Sequence, residues 1–218
     1  MKLWFAIGAL LASTSAVSAQ ELMTIGRLQY EGGGDWYANP SSLPNLLKAI
    51  GERTSFRVSA REKVVRLIDD EVWQVPFLHM TGHGNVKWAG RELGLLRAFL
   101  EQGGFLHIDD NYGMDESIRK EIARLFPDHP MVEVPWDHPI YRVVYAFPKG
   151  LPKIHEHDGK PAQGFGVFLE GRLVLYYSYQ TDLGDGWEDP EVHRDPPDKH
   201  EAALRMGVNL FAYAVGSR

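Results

Sequence analysis

The chain has 218 residues, a formal net charge of −6 and no cysteine. The missing thiol excludes a cysteine nucleophile, any thiolate metal site and disulfide cross-links. Lys and Arg are scattered rather than clustered, which argues against a nucleic-acid surface and leaves small polar molecules, glycans or other proteins as the expected partners.

The N-terminus places Lys2 before an apolar run from Leu3 to Ala12 and a small-residue stretch that ends in Val17-Ser18-Ala19. That is the order of a secretory signal, with compact side chains where a signal peptidase cuts. Cleavage near Ala19 is expected, making residues 1–19 a leader and residues 20–218 one domain that is exported, either periplasmic or secreted. The apolar run falls well short of the roughly 20 residues that span a bilayer. No later segment is long enough, so no transmembrane segment is expected in the mature chain. About 199 residues suit a single domain with its own core.

Thr24 to Tyr30 reads as a strand that ends in Glu31-Gly32-Gly33-Gly34-Asp35. A helix follows, capped by Ser41 or Ser42, with Pro44 in its first turn and Leu43, Leu46, Leu47 and Ile50 on one face. Lys63 to Leu67 is a second strand, Asp69 to Gln74 one helical turn, and Phe77 to Thr81 a third strand stopping at Gly82-His83-Gly84. Leu93, Leu96 and Leu100 mark a helix over 90–102 that stops at Gly103-Gly104. Phe105 to Ile108 is the fourth strand, and Ile118, Ile122 and Leu125 mark the next helix. Gly164 to Leu169 and Arg172 to Tyr179 read as an antiparallel hairpin. A last helix starts at Asp198, with Glu201 completing a capping box, and buries Leu204, Val208, Phe211 and Val215. The alternation predicts an α/β domain: a doubly wound, mainly parallel sheet with helices on both faces and an added antiparallel hairpin.

In such a sheet ligands bind beyond the carboxyl ends of the strands. The first strand delivers Glu31, Asp35 and Trp36, the third His83, the fourth Asp109, Asp110 and Asn111, and the hairpin Asp182, Asp185 and Trp187. His83 stands on a tight Gly-His-Gly turn, where a histidine serves as base or metal ligand, or simply bonds to backbone. Asp109 and Asp110 point to opposite sides of an extended chain, so one of them reaches the cleft; the alternative is an Asx turn in which Asn111 or Asp110 caps the next helix. His155 and His157 are two apart and share a face in an extended segment, a spacing used by metal sites and also found in plain surface loops. The acidic stretch 182–189 lacks the ordered ligand series of a calcium loop and reads as a solvated turn. Asp128-His129-Pro130 and Asp137-His138-Pro139 read as turns. Trp36 and Trp187 suit stacking on a sugar ring or burial in the core.

Several separated motifs together carry a resemblance. Gly26-Arg27-Leu28-Gln29-Tyr30 with Gly32-Gly33-Gly34-Asp35-Trp36-Tyr37, Thr81-Gly82-His83-Gly84-Asn85, Gly103-Gly104-Phe105-Leu106 with Asp109-Asp110-Asn111, Asp137-His138-Pro139-Ile140-Tyr141, and Leu183-Gly184-Asp185-Gly186-Trp187-Glu188-Asp189-Pro190 resemble the DUF4159 family over essentially the whole mature chain. The resemblance implies a flavodoxin-like scaffold similar to class I glutamine amidotransferases and ThuA-like proteins, and it brings no established activity. Amidotransferases of that superfamily carry a cysteine on the turn where His83 stands. Caspase-like proteases carry theirs after the next strand, where Asp109 and Asp110 stand. Neither thiol mechanism is open to a chain without cysteine.

The expectation is an exported, hydrolase-like domain assisted by a divalent metal ion. His83 acts as base or ligand, Asp109 or Asp110 as carboxylate ligand or base, and His155 and His157 as further ligands, with Glu31, Asp35, Trp36, Asn111, Asp182, Asp185 and Trp187 lining the cleft. No nucleotide cofactor is expected. The alternatives are a non-catalytic binding module for a glycan or small polar ligand and a structural partner in an envelope complex.

Overall fold

A computed structural model describes residues 22–217. The expected leader and its cleavage point at Ala19 lie outside the described residues. In chain order the elements are β1 (Ile25–Leu28), α1 (Ser42–Arg53), β2 (Lys63–Val65), β3 (Phe77–Gly82), α2 (Gly90–Glu101), β4 (Phe105–Asp110), α3 (Asp115–Leu125), β5 (Val132–Glu133), β6 (Gln163–Leu169), β7 (Arg172–Tyr179), α4 (Leu183–Trp187), α5 (Pro190–His193) and α6 (Pro197–Gly216). The strands form one sheet in the order β2-β1-β3-β4-β7-β6-β5. The first five in that order are mutually parallel, and β6 runs against both its neighbours. The hairpin expected from sequence is β6–β7, and its second strand docks parallel on β4.

Central strands buried on both faces send alternate residues to two cores, because side chains alternate across a pleated strand. Phe77 and Phe105 join Leu43, Leu46, Leu47 and Ile50 of α1 and Leu210 and Phe211 of α6 on one face. Leu78, Leu106 and Ile108 join Leu96 and Leu100 of α2 and Ile118 and Ile122 of α3 on the other. The apolar spacing that identified α1 and α3 in the sequence is therefore the spacing of their buried faces. No helix among the described residues is long and apolar enough to cross a membrane.

Three expectations need correction. Strand β4 continues through Asp109 and Asp110, which are buried within the sheet rather than presented beyond it. The capping box at Asp198 and Glu201 does not form: α6 starts one residue earlier after Pro196, and Glu201 instead pairs with Arg53 and Arg205. The stretch 182–189 is not a solvated turn but contains α4, with Leu183, Gly184, Gly186 and Trp187 buried. Val132–Glu133 is a short edge strand that sequence patterning does not signal.

The face that packs on α6 also carries two histidines. His79 of β3 and His107 of β4 lie side by side, their Nδ1 atoms 3.0 Å apart, with His107 Nε2 2.9 Å from Ser178 Oγ on β7. Both rings are fully buried against Trp187. Burial pushes His107 down to about 3 and lowers His79 as well. The unfolded chain takes up a proton at His107 near pH 6.5 that the fold refuses until about pH 3. Its contribution to stability is thus complete above pH 6.5 and is lost toward pH 3 at about 1.4 kcal/mol per pH unit. Urea unfolding of wild type and His107→Gln from pH 7 to pH 4 should show their stability difference falling at about that rate below pH 6.5. A constant difference would mean that His107 titrates in the fold as it does in the open chain.

Candidate functional site

The chain leaves β7 through two residues in the left-handed region, Gln180 (φ 60°) and Asp182 (φ 59°), and turns directly into α4. This turn aims Asp182 and Asp185 at a neighbouring segment, 151–163. Ile154 and His155 both donate their amides to the Thr181 carbonyl, at 3.2 and 3.1 Å, so His155 is laid against the exit of β7. Helix α5 follows α4 and ends at His193. Arg194, also left-handed (φ 59°), then returns the chain so that Asp195 reaches the same place.

His155, Asp185 and His193 offer ligand atoms that all lie within 4.8 Å of one another. Asp185 Oδ2 is 3.2 Å from His155 Nδ1 and 3.7 Å from His193 Nδ1. Tetrahedral bonds of about 2.0–2.1 Å place neighbouring donors roughly 3.3 Å apart, so this spacing suits a shared cation. The outer atom of each group is also held. His155 Nε2 is 2.8 Å from Asp195 Oδ1, His193 Nε2 is 3.3 Å from Glu188 Oε2, and Asp185 Oδ1 accepts from Asn39 Nδ2 at 2.7 Å. Glu188 is fixed in turn by the Ser41 amide and hydroxyl, at 3.0 and 2.9 Å. Histidine ligands of metals nearly always carry such a carboxylate or carbonyl partner, which sets tautomer and ring orientation. The three side chains are 15–29 % exposed, so the group is open to solvent on one side.

The electrostatics follow from the carboxylates. Hydrogen bonds to Asp182, then to Asp185 and Asp195, outweigh burial and push His155 up to about 10. Burial acts to raise Asp185, but His155, His193 and Asn39 together leave it below the ordinary carboxylate range. A cation among these atoms would displace the His155 proton.

Asp182 and His157 adjoin the group. Asp182 Oδ2 lies 3.4 Å from His155 Nδ1 and pairs with His157 Nε2. The His157 ring stacks on Tyr112, centroids 4.6 Å apart, and Tyr112 donates to Asp158 at 2.8 Å. Of the residues singled out by sequence, His155, His157, Asp182 and Asp185 are thus brought together.

The others lie elsewhere. His83 is exposed on its turn, and its polar contacts are with Asp35: the amide bonds to Asp35 Oδ1, and Nδ1 lies 3.0 Å from Oδ2. Gly82 (φ 141°) makes this turn possible, since a side chain there would meet Tyr30 and Asp35. The expected ligand set of His83, His155 and His157 is therefore not the set the fold assembles. Asp109 has no exposure, and Asp110 is held by the Met114 amide and the Tyr177 hydroxyl at 3.0 and 3.1 Å, so neither faces a cleft. Burial pushes Asp109 up to about 8 against the bond from Ser178, and raises Asp110 too. Asn111 is buried and accepts from Thr81 Oγ1 at 3.1 Å. Glu31 is exposed, its backbone carbonyl bound to the Lys87 amide. Trp36 is half-buried and packs edge-on against Tyr37. Trp187 cannot serve as a stacking platform: it is fully buried, and its Nε1 donates to the Ala203 carbonyl at 2.7 Å.

Sequence reasoning missed His193, Glu188, Asp195 and Asn39. The signal was present for His193, because Asp189-Pro190 is a helix start and places residue 193 one turn on.

A mixed α/β domain, with a mostly parallel seven-stranded sheet and a His/Asp cluster beyond the carboxyl end of β7, is the class that fold and site define. The chain belongs to the family described as "Domain of unknown function (DUF4159)", which it matches over residues 24–215. No curated protein matches it.

Because His83 is exposed and, among the described residues, its ring pairs with Asp35 alone, His83→Ala should change the unfolding free energy by no more than about 0.5 kcal/mol. It should also leave zinc affinity as in wild type, measured by competition with a chromophoric chelator. A tenfold loss of affinity would mean that His83 helps to hold the ion.

Proposed function

We propose that this is an exported, metal-assisted hydrolase-like domain whose divalent cation is held by His155, Asp185 and His193. The observation that carries the reading is the outer support of all three ligands, by Asp195, Asn39 and Glu188. A surface coincidence of two histidines and an aspartate has no reason to be braced at every outer atom. The donor set of two imidazoles and one carboxylate suits zinc with an open position, as in catalytic rather than structural sites.

A cation so held would bring the pKa of a bound water toward neutrality and, as a Lewis acid, would itself polarise a carbonyl or phosphoryl oxygen. The chain's own groups do the rest. Asp195 and Glu188 hold the imidazoles in the orientation that directs nitrogen inward. Asp182, whose Oδ2 faces His155 and His157, adds a negative charge beside the ligands. The absence of any cysteine makes a nucleophile derived from water the natural chemistry for the cluster.

The strand order of the parallel part, with β1 between β2 and β3 and β7 last, supports a doubly wound, flavodoxin-like scaffold of the kind found in class I glutamine amidotransferases. The N-terminal leader motif supports export to the periplasm or beyond.

Untagged protein should bind one equivalent of zinc, with a melting temperature raised by the metal and returned by chelator. At a hundredfold excess of free zinc over its dissociation constant, the gain is about 2.7 kcal/mol. Asp185→Asn and His193→Ala should each lose most of that gain. Wild type without stoichiometric metal, and with no thermal response to it, would end this reading.

A further inference from the structure

We infer that Asp109 is a positioning residue that fixes α4 and, through it, the Asp185 carboxylate of the cation site. The inference rests on the proposed cation reading for its functional meaning and on the hydrogen bonds of Asp109 for its structural content.

Helix α4 has only five residues and little means of holding itself. At its two ends the Gly186 amide bonds to the Asp182 carbonyl at 3.2 Å and the Glu188 amide to the Asp185 carbonyl at 3.0 Å. The first amides of a helix need an acceptor from outside it. The N-cap residue is an aspartate, which ordinarily supplies one. Here the Asp182 side chain makes no capping bond: its backbone is left-handed (φ 59°) rather than extended as a capping residue's usually is, and its Oδ2 faces His155 and His157.

Asp109 supplies the acceptor from the neighbouring strand. Its Oδ1 accepts from the Leu183 amide at 3.2 Å and its Oδ2 from the Gly184 amide at 2.6 Å. Behind it, Ser178 Oγ donates to Oδ1 and stands 2.9 Å from His107 Nε2, which leads on to His79. All four side chains are fully buried, on the adjacent strands β3, β4 and β7. A group so enclosed touches no substrate, and its influence passes through the helix it anchors.

Residue 184 completes the device. A Cβ there would lie 3.1 Å from Asp109 Oδ2 and 2.8 Å from Asn39 Nδ2. Glycine therefore allows the helix to approach Asp109 and allows Asn39 to reach Asp185.

The test uses full-length protein loaded with cobalt(II) in place of zinc. Asp109→Asn keeps one acceptor oxygen but turns an amide N–H toward a backbone N–H, and Gly184→Ala pushes the same contact apart without changing charge. Both variants, if folded by circular dichroism, should bind cobalt 10- to 100-fold more weakly, the loss typical of outer-shell changes. Their bound cobalt should also show a shifted visible absorption. A lowered melting temperature with affinity and spectrum unchanged would overturn the inference. If wild type binds no cobalt, the cation reading fails by itself, and amide hydrogen exchange decides the anchoring. Faster exchange at Leu183 and Gly184 in Asp109→Asn supports it, and unchanged exchange overturns it. If Asp109→Asn does not fold, Gly184→Ala carries the same two readouts.

Discussion

Strand β4 runs through the middle of the sheet with all six residues buried, and three of the six are polar: His107, Asp109 and Asp110. An unpaired buried polar group costs about 1–3 kcal/mol, and an unpaired charge more. Each of the three must therefore find a partner on another element, and the partners they find bind the sheet to its loops. His107 reaches sideways to His79 and Ser178. Asp109 reaches upward to α4, and Asp110 to the start of α3 through Met114 and across to Tyr177. An apolar β4 would pack as well against both layers but would leave the connections at its carboxyl end free to choose their own positions.

Alternation along the strand divides that task. Adjacent residues point to opposite faces, so consecutive aspartates anchor elements on opposite sides of the sheet. Asp109 serves the face covered by α1 and α6, where α4 is packed between them through Leu183 and Trp187. Asp110 serves the face of α2 and α3. The pair that looks from sequence like adjacent catalytic carboxylates is two separate braces, and burial lifts both above the ordinary carboxylate range without making either accessible.

The fold was legible where elements are long enough for a period to show. Helices α1 and α3 present their leucines and isoleucines at helical spacing, and Phe77 and Phe105 open runs that can only be buried strands. The site was half legible. The His155-x-His157 pair and the acidic residues after β7 stand out by composition. The five-residue helix that positions Asp185 does not, because it is too short for a helical period and contains Gly184 and Gly186, which propensity reads as a turn. Those glycines serve close packing rather than flexibility: a Cβ at Gly186 would lie 2.5 Å from Ala203 Cβ. His83 misled for a different reason. Its turn does raise the side chain at the end of β3, but a loop's partners are set by tertiary contacts, and the group that meets it is Asp35 rather than a second ligand.

Charge is what would favour a positive centre in the cluster. Asp182, Asp185, Glu188 and Asp195, all from the stretch 182–195, gather around His193 of the same stretch and His155 of the segment before β6. Four carboxylates brought this close repel one another unless something positive sits among them, and a proton on His155 meets that need only in part. One proton occupies one nitrogen, whereas a divalent cation is met by both imidazoles and Asp185 together and carries twice the charge. The same atoms would then serve as ligands while Asp195, Glu188 and Asn39 kept their hydrogen bonds. A cation would compete with the proton for His155, because the carboxylates that stabilise the protonated imidazole would stabilise a metal ion in its place. Two nitrogens in the donor set would turn that preference toward zinc-like ions and away from the hard cations that all-oxygen sites select.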